Sequence, residues 1–514
     1  MIIVPTVQPY TRRSSCSLAV LMAIATPLLL PQRVQAQAQT SLLSLQVSYS
    51  TRKAVAKPTG ELAARLDSVD AAFIVANRAG NMGEARRQLA KGAALLAGRA
   101  WTDSADFSTS LLLRSDRVVI DSRQPYALRI EQQYKPTVAV GKSTSARVLL
   151  TKAASGGGRT EIGTFDVTST DLQAKPFVMK LDFTEVADGR YNIVVEMVNA
   201  LRVIATATLA VSVRNGIDDA VTRLKTEAEV APEALRAEIL FPVDRMRHVN
   251  QGQLELRMLD TDKEFAIADS VVLAVKQKKD PFAGRTGDFK RHYALIGANE
   301  ILPYRLYVPT TYQANAGAPL IIALHGLGAT EDSFFDSYGK VLPQLAEQGG
   351  YILAGALGYR VDGGYGWGVG TPPNDTAARR SSELSELDVM QVLEQVRKHY
   401  NIDPRRIYLM GHSLGAIGTW KIAAKYPEVW AALGAFSGQG QPASAAQLKD
   451  IPQFVVHGDA DPTVNVRGSR TMVTALKALN TELVYIEVPS GNHSNVVQPN
   501  LAGMVEFFGK HKKP

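Results

Sequence analysis

A five-residue segment, Gly411-His412-Ser413-Leu414-Gly415, constrains the fold of this chain more than any other feature. It follows the apolar run 408–410, and a helix-like segment comes after it. Gly-x-Ser-x-Gly in this setting predicts a serine held on a sharp strand-to-helix turn, with its hydroxyl exposed. Side chains at positions 411 and 415 would collide with neighbouring backbone, so the turn requires glycine there. Because the motif is short, its interpretation depends on the residues around it.

The carboxyl-terminal part supplies that context. Short apolar runs at 320–324, 407–410 and 454–457 alternate with helical segments, as buried parallel strands do. Apolar residues between 384 and 396 recur at helical spacing just before the run that carries Ser413. We therefore expect residues 288–514 to form an α/β domain, a mostly parallel sheet with flanking helices.

A serine hydroxyl needs an imidazole to accept its proton and a carboxylate to orient that imidazole. Asp461 follows the predicted strand at 454–457, and His493 follows another at 483–488. The carboxyl ends of parallel strands meet at one edge of a sheet, so we expect Ser413, Asp461 and His493 to converge there. The order serine, acid, histidine is that of the strand-turn-helix hydrolases.

Other residues compete for these roles. Asp459 is an alternative to Asp461 as the acid. His457 ends a strand, which favours a structural hydrogen bond. His412 is adjacent to the serine, but its side chain is expected to point away from it. His399 is expected to be solvated at a helix end.

A glycine-rich turn at 325–328 follows an early strand and can direct a backbone N–H at a developing negative oxygen. We expect the backbone N–H groups of Leu327 and Leu414 to form this oxyanion hole, with His325 bracing the turn. The glycine-aromatic loop 362–370 offers Tyr365 and Trp367 as a wall of the substrate pocket. Packing of both aromatics on the domain is an equally supported interpretation.

The chain before residue 288 is organised differently. Segment 39–112 is predicted to be helical, because Leu62, Leu66, Val69 and Phe73 share a helix face and Gly80-Asn81 interrupts the pattern. Segment 113–215 has several short strand-like runs separated by turns, including Gly156-Gly157-Gly158, which predicts an immunoglobulin-like β-sandwich. Segment 216–287 is predicted to be a partly helical connector with breaks at Pro232 and Pro242.

Residues 1–38 have the three parts of a signal peptide: Arg12 and Arg13, an apolar run at 18–30, and a cleavage site at 36–38, with 34–36 as a second candidate. A membrane anchor is the alternative, but the run is short and Pro27 interrupts it. Cys16, the one cysteine, precedes this run, so cleavage leaves a chain without thiol chemistry or disulfides. We expect a secreted or periplasmic bacterial protein with no transmembrane segment after cleavage.

The formal net charge of the chain is +8, and three of these charges are arginines of the predicted signal peptide. The remaining basic residues are dispersed, which favours a solvated surface over nucleic-acid binding. The eight histidines show no metal-ligand spacing, so we expect no metal and no cofactor.

The runs Arg305-Leu306-Tyr307-Val308-Pro309, His325-Gly326, 401–408, 411–415 and His457-Gly458-x-x-Asp461 resemble those of secreted α/β-hydrolases. The nearest groups are feruloyl and acetyl-xylan esterases, polyhydroxybutyrate depolymerase-like esterases and prolyl-oligopeptidase-like hydrolases. The resemblance covers about 288–514, and some such esterases carry a β-sandwich domain before the catalytic one.

Motifs and resemblance together predict an exported serine carboxylic-ester hydrolase that forms an acyl-enzyme on feruloyl, acetyl or other short acyl esters. One alternative is a peptidase of the prolyl-oligopeptidase type, although no propeller repeat precedes the domain. Another is a non-catalytic polymer-binding protein on a hydrolase scaffold. The expected partner is a small or polymer-linked ester, with polysaccharide or polyester contact assigned to the N-terminal region.

Overall fold

A computed structural model describes residues 41–141, 143–153, 158–366 and 376–514. The predicted signal peptide 1–38 with Cys16, the turn at Gly156-Gly157 and the candidate pocket residue Trp367 lie outside these ranges. Within them, no helix combines the length and the apolar character needed to span a bilayer.

The described chain begins with helices that pack into a small core of their own. They are α1 (Leu42–Ala56), α2 (Gly60–Arg78), α3 (Met82–Leu96) and α4 (Asp103–Ser110). Leu66, Val69 and Phe73 of α2 are buried against Leu89 of α3 and Tyr49 of α1. The 4-3-4 spacing of the apolar residues in α2 places them on the face that makes this contact.

Residues 111–214 form two sheets whose apolar faces share one core. The strands are β1 (Leu111–Ser115), β2 (Val119–Asp121), β3 (Tyr126–Gln132), β4 (Thr144–Lys152), β5 (Arg159–Asp166), β6 (Phe177–Leu181), β7 (Gly189–Asn199) and β8 (Arg202–Arg214). One sheet has the order β1-β3-β6 and the other β2-β8-β7-β4-β5. The classification of this region as immunoglobulin-like stays a prediction.

The segment predicted as a connector contains the helices α5 (Ile217–Val230), α6 (Glu233–Asn250) and α7 (Thr261–Lys276). Pro232 lies immediately before the first residue of α6, so the predicted break at this position coincides with a helix boundary. The predicted break at Pro242 is wrong, because Pro242 lies inside α6. The residues around it are buried on more than one face of the helix, and this packing offsets the backbone hydrogen bond that proline removes.

The predicted mostly parallel sheet with flanking helices is confirmed for residues 288–514. Its strands are β9 (Gly287–Leu295), β10 (Glu300–Val308), β11 (Ala318–Leu324), β12 (Ile352–Ala356), β13 (Ile402–His412), β14 (Ala432–Phe436), β15 (Gln453–Gly458) and β16 (Leu483–Val488). The order is β16-β15-β14-β13-β11-β12-β10-β9. Strands β11 to β16 pair in parallel, while β10 runs antiparallel to β12 and β9.

Alternate residues of the central strands enter two different cores. Ile321 and Ala323 of β11 belong to one core, and Leu320, Ile322 and Leu324 belong to the other. Helices α9 (Val341–Gly349) and α14 (Val497–Lys510) cover the first face; α10 (Thr376–His399), α11 (Leu414–Lys425) and α13 (Arg467–Lys477) cover the second. The short helices α8 (Ser333–Asp336) and α12 (Ala445–Leu448) complete the domain. Burial on both faces explains why these strands are continuous apolar runs.

A buried ionic contact joins the connector to the eight-stranded sheet of residues 287–488. Glu238 of α6 is 1% exposed, and its Oε1 accepts a hydrogen bond from Arg291 Nε at 2.6 Å. The same oxygen accepts the backbone N–H of His292, whose ring nitrogen Nδ1 lies 2.5 Å from Oε2. Burial alone would raise the pKa of Glu238, but the charges and hydrogen bonds of His292 and Arg291 hold it below its usual value. The connector is therefore packed against the α/β domain of residues 288–514.

Replacing Glu238 with alanine should destabilise the whole protein, because it leaves the Arg291 guanidinium buried without its counter-ion. We expect a loss of about 3–5 kcal/mol in the free energy of unfolding, measured by chemical denaturation. The exposed Glu233, at the start of the same helix, is the matched control, and Glu233→Ala should change the value by less than about 0.5 kcal/mol. Equal effects of the two substitutions would contradict this interpretation.

Candidate active site

Ser413 occupies a strained turn between β13 and α11. Its backbone has φ 57° and ψ −118°, a conformation in the positive-φ region that costs a residue with a side chain about 1–3 kcal/mol. The backbone N–H of Ser413 donates to the carbonyl oxygen of Phe436 at 2.9 Å, and its carbonyl oxygen accepts from Ile417 N–H at 3.1 Å. These two bonds tie the turn to β14 and to the first turn of α11.

The two glycines of the motif are required by backbone contacts. A Cβ atom on Gly411 would lie 2.3 Å from the carbonyl carbon of Gly415. A Cβ atom on Gly415 would lie 2.0 Å from the carbonyl oxygen of Leu324, at the end of β11. Neither obstacle is a movable side chain, so any other residue would open the turn.

The three candidate catalytic side chains form one hydrogen-bonded chain. His493 Nε2 lies 2.9 Å from Ser413 Oγ, and His493 Nδ1 lies 2.7 Å from Asp461 Oδ2. The three residues follow β13, β15 and β16, which end at the same edge of the sheet. Asp461 has a fully buried side chain, while that of His493 is 17% exposed. The imidazole therefore bridges a buried carboxylate and a hydroxyl at the surface of a cleft.

Asp461 is held as a carboxylate by its neighbours. Its Oδ1 accepts the backbone N–H groups of Thr463 at 2.8 Å and Val464 at 3.0 Å. Burial alone would raise the pKa of Asp461, but hydrogen bonds from His457 and His493 and the backbone bond from Val464 hold it well below its usual value. The carboxylate can therefore fix the orientation of His493 at any pH near neutrality.

The competing acid, Asp459, lies elsewhere in the same loop. Its Oδ1 accepts the backbone N–H of Ser490 at 2.6 Å, which ties the loop after β15 to the turn after β16. Of the two aspartates predicted as candidates for the acid, Asp461 is the one in contact with His493.

Two further histidines brace this arrangement. His457 is completely buried; its Nε2 lies 2.9 Å from the carbonyl oxygen of Val464 and 3.2 Å from Asp461 Oδ2. His412 turns away from the serine hydroxyl: its Nε2 donates to the carbonyl oxygen of His493 at 2.8 Å, and its Nδ1 accepts the hydroxyl of Tyr338 at 2.9 Å. Burial and the nearby His493 lower the pKa of His412 to about 4, so this ring is neutral near pH 7.

The glycine-rich turn lies against the nucleophile. A Cβ atom on Gly326 would be 3.4 Å from Ser413 Cβ, which places the turn after β11 in contact with the serine. Within the described chain, no backbone acceptor is recorded for Leu327 N–H. Leu414 is the first residue of α11, so its N–H has no partner within the helix. The role of these two N–H groups as oxyanion donors stays a prediction.

A shell of buried groups fixes the shape of that turn. The ring of His325 lies between two carbonyl oxygens, that of Gly326 at 2.8 Å from Nδ1 and that of Leu357 at 2.7 Å from Nε2. Gly328 N–H donates to the carbonyl oxygen of Val361 at 2.8 Å. Burial lowers the pKa of His325. His325 thus joins the turn to the segment 357–361, as its predicted bracing role requires.

Tyr365 does not contact the cleft. Its ring is 1% exposed and packs against Gly418 of α11, where a Cβ atom would lie 2.5 Å from the tyrosine. Its hydroxyl donates to the carbonyl oxygen of His325 at 3.3 Å. The prediction of a pocket wall is therefore corrected for Tyr365 to the alternative, an aromatic packed on the domain behind the oxyanion turn. Trp367 stays a prediction.

The cleft over Ser413 has a roof that sequence analysis did not foresee. It has a volume of about 880 Å³ and is lined from below by the Ser413 region and from above by α1, Arg86, Arg114 and residues 252–258. Thr51 Oγ1 of α1 lies 3.3 Å from Thr463 Oγ1, two residues after Asp461. A polar face of α1 could have been recognised in the sequence, because its polar residues recur at the helical spacings of three and four. These residues are Ser41, Ser44, Ser48 and Thr51.

Within the described ranges, no cluster of three or more histidine, cysteine, aspartate or glutamate side chains is arranged to hold a metal ion.

Several known proteins similar to this chain are named as esterases. Residues 298–479 match a family described as putative esterase. Feruloyl esterase B of Neurospora crassa is 31% identical over 148 residues, which cover 29% of this chain and 48% of that protein. A bifunctional acetylxylan esterase/xylanase of Neocallimastix patriciarum is 27% identical over 160 residues, covering 31% of this chain and 21% of that protein. The chain thus spans less than half the length of these relatives.

Among solved structures, a ferulic acid esterase of Anaeromyces mucronatus aligns with 45% of this chain and 93% of its own, at 19% identity and a TM-score of 0.37. The predicted resemblance to esterases of the feruloyl and acetylxylan group is confirmed by the family match and the curated relatives.

Asp461→Asn should lower kcat by about 10³–10⁴-fold, because an amide no longer enforces the tautomer of His493 that accepts the serine proton. Asp459→Asn is the matched control: it alters a loop contact and should cost less than tenfold. The measurement is steady-state hydrolysis of a p-nitrophenyl ester by both variants. If Asp459→Asn lost more activity than Asp461→Asn, Asp459 and not Asp461 would be the acid.

His412 should make the protein less stable in acid. Its pKa of about 4 in the folded state lies below the value near 6.5 of an unfolded chain. Between these values the unfolded chain binds the extra proton, so stability is complete above pH 6.5 and falls by up to about 3 kcal/mol as the pH drops to 4. His412→Gln keeps one donor and one acceptor and should flatten this dependence, measured by denaturation from pH 4 to 7. If the pH dependence of stability were the same in His412→Gln as in the wild-type protein, it would not come from His412.

Proposed function

We propose that this protein is a carboxylic ester hydrolase that acts through an acyl-enzyme on Ser413. The observation that carries the proposal is the hydrogen-bonded chain from Ser413 through His493 to Asp461, with distances of 2.9 and 2.7 Å. A serine on a strained turn, a base within hydrogen-bonding distance and a buried acid behind that base together suit nucleophilic attack on a carbonyl group.

Each residue has a role in the proposed reaction. Asp461 accepts a hydrogen bond from Nδ1–H of His493, which leaves a lone pair on Nε2 toward Ser413 Oγ. As Oγ attacks the ester carbonyl carbon, Nε2 takes its proton and then donates it to the leaving alcohol. The N–H groups of Leu327 and Leu414 stabilise the negative oxygen of the intermediate. Water then attacks the acyl carbonyl carbon while His493 Nε2 takes its proton, and Nε2 returns this proton to Ser413 Oγ as the bond to the serine breaks and the acid leaves.

Contacts that hold His493 and the glycine-rich turn in place support these proposed roles. His493 is held at its ring by Asp461 and at its carbonyl oxygen by His412. The oxyanion turn is held by His325 and by Val361. Because these contacts exist before substrate binds, little reorganisation is needed in the transition state.

We infer the substrate class from the relatives, which are named as feruloyl and acetylxylan esterases. The proposed substrates are feruloyl, acetyl or other short acyl esters, small or attached to a polymer. The esterase is preferred over a peptidase because these relatives are esterases, and over a binding protein because nucleophile, base, acid and oxyanion turn are all present. Export is proposed from the signal-like sequence of residues 1–38.

Ser413→Ala should lower the hydrolysis of p-nitrophenyl acetate by at least about 10³-fold, because it removes the proposed nucleophile, whose hydroxyl lies 2.9 Å from His493 Nε2. The variant should also lose covalent labelling by a fluorophosphonate. Ser270→Ala, at an exposed position of α7, is the control and should retain both. Retention of more than about 1% of the activity by Ser413→Ala would remove the nucleophile from the proposal.

A further inference from the structure

The glycine-rich turn beside the proposed nucleophile is held by the segment that follows β12. The carbonyl oxygen of Leu357 lies 2.7 Å from His325 Nε2, and that of Val361 accepts the N–H of Gly328 at 2.8 Å. These two contacts flank Leu327, whose N–H is a proposed oxyanion donor. The position of this donor relative to the serine hydroxyl therefore depends on that segment.

The backbone of this segment, residues 357–361, has a conformation that needs support. Gly358 and Tyr359 are consecutive residues with positive φ, at 70° and 61°. The left-handed region is unfavourable for a residue with a side chain such as Tyr359, and it persists only where surrounding contacts hold it. Successive N–H groups of such a turn can converge on one anion. The segment therefore suits contact with a negatively charged group.

Asp388 of α10 supplies that group. Its Oδ2 accepts the N–H of Gly358 at 2.5 Å and the N–H of Tyr359 at 3.1 Å. Its Oδ1 accepts the hydroxyl of Tyr293 on β9. Asp388 is 0% exposed, so it cannot itself touch a substrate in the cleft. One buried carboxylate thus joins α10, β9 and segment 357–361.

The ionised form of Asp388 suits these contacts. Burial raises the pKa of Asp388 to about 6, although the hydrogen bonds from Tyr293, Tyr359 and Gly358 act in the opposite direction. At pH 8 the group is therefore a carboxylate, and both of its oxygens are acceptors. Hydrogen bonds to a charged acceptor are stronger than those between neutral groups, which helps to hold the strained turn.

We propose that Asp388 is a positioning residue of the active site: it holds segment 357–361, and through that segment it holds the N–H of Leu327 beside Ser413. This inference rests on the proposed function, because the position of the donor matters only where an oxyanion forms. It goes beyond that function by assigning a part in it to a buried carboxylate that does not touch the substrate.

Two substitutions of similar shape test the acceptor at position 388. Asp388→Leu has nearly the shape of aspartate and offers no acceptor to the two N–H groups. Asp388→Asn is the conservative variant, because its amide oxygen can still accept both of them. Where Asp388→Leu does not fold, Asp388→Ala, which also lacks the acceptor but adds no bulk, replaces it. Glu394→Ala removes an exposed carboxylate from the same helix and is the matched control.

At pH 8, kcat/KM for p-nitrophenyl acetate should fall about 10²-fold in Asp388→Leu, the lower end of the loss that follows removal of one oxyanion donor. Asp388→Asn should stay within about tenfold of the wild-type value, and Glu394→Ala within about twofold. Rates are expressed per serine that labels to completion with a fluorophosphonate, so unfolded protein is not counted.

Inhibition by 2,2,2-trifluoroacetophenone reports on the oxyanion itself. Ser413 Oγ adds to the ketone carbon, its proton passes to His493 Nε2, and the carbonyl electron pair becomes a negative oxygen like that of the intermediate. The Ki should therefore rise in Asp388→Leu by about the factor by which kcat/KM falls. A purely structural role would lower the melting temperature and the number of labelled serines, with kcat/KM per labelled serine and Ki unchanged.

The outcomes separate this inference from the proposed function. If the wild-type protein hydrolyses the ester and the variant without an acceptor keeps kcat/KM and Ki within about threefold, Asp388 does not position the donor, while the esterase stands. A fall in kcat/KM without a rise in Ki, or equal losses in Asp388→Asn and Asp388→Leu, would also overturn the inference. If the wild-type protein does not hydrolyse the ester, the proposed function falls and this inference falls with it.

Discussion

The site depends on a contact between two stretches of backbone below Ser413. Gly415 approaches the carbonyl oxygen of Leu324 so closely that a Cβ atom would lie 2.0 Å from it. This approach brings the start of α11 against the end of β11, and the glycine-rich turn that continues from β11 then meets the serine. A larger residue at position 415 would therefore separate Ser413, the proposed nucleophile, from the glycine-rich turn that carries a proposed oxyanion donor.

Two buried histidines hold His493, the proposed base, and Asp461, the proposed acid. His412 fixes the carbonyl oxygen of His493, while His457 contacts both Asp461 and the loop that carries it. All of these side chains lie where strands of the sheet end, so small displacements of neighbouring strands would be transmitted to the serine. Burial of these rings limits such displacements, because close-packed interiors resist deformation.

The N-terminal region and the catalytic sheet form one cleft. Helix α1 contacts the loop of Asp461 through Thr51 and Thr463, and α6 enters the catalytic part through the buried Glu238. The region before residue 288 therefore lines part of the cleft over Ser413. Its arginines line the cleft together with Arg360 of the α/β domain.

The sequence alone determined the local and periodic features. The glycines of the Ser413 turn follow from sterics at adjacent residues, and Asp461 and His493 could be found because parallel strands end at a common edge. Tertiary structure decided what depends on residues distant in the chain. Tyr365 is buried because Gly418 leaves space for its ring, Pro242 stays inside α6 because both sides of that helix are packed, and α1 covers the cleft through a contact with Thr463. Sequence periodicity shows which face of an element is apolar or polar, but the partner of that face is set by packing of the whole chain.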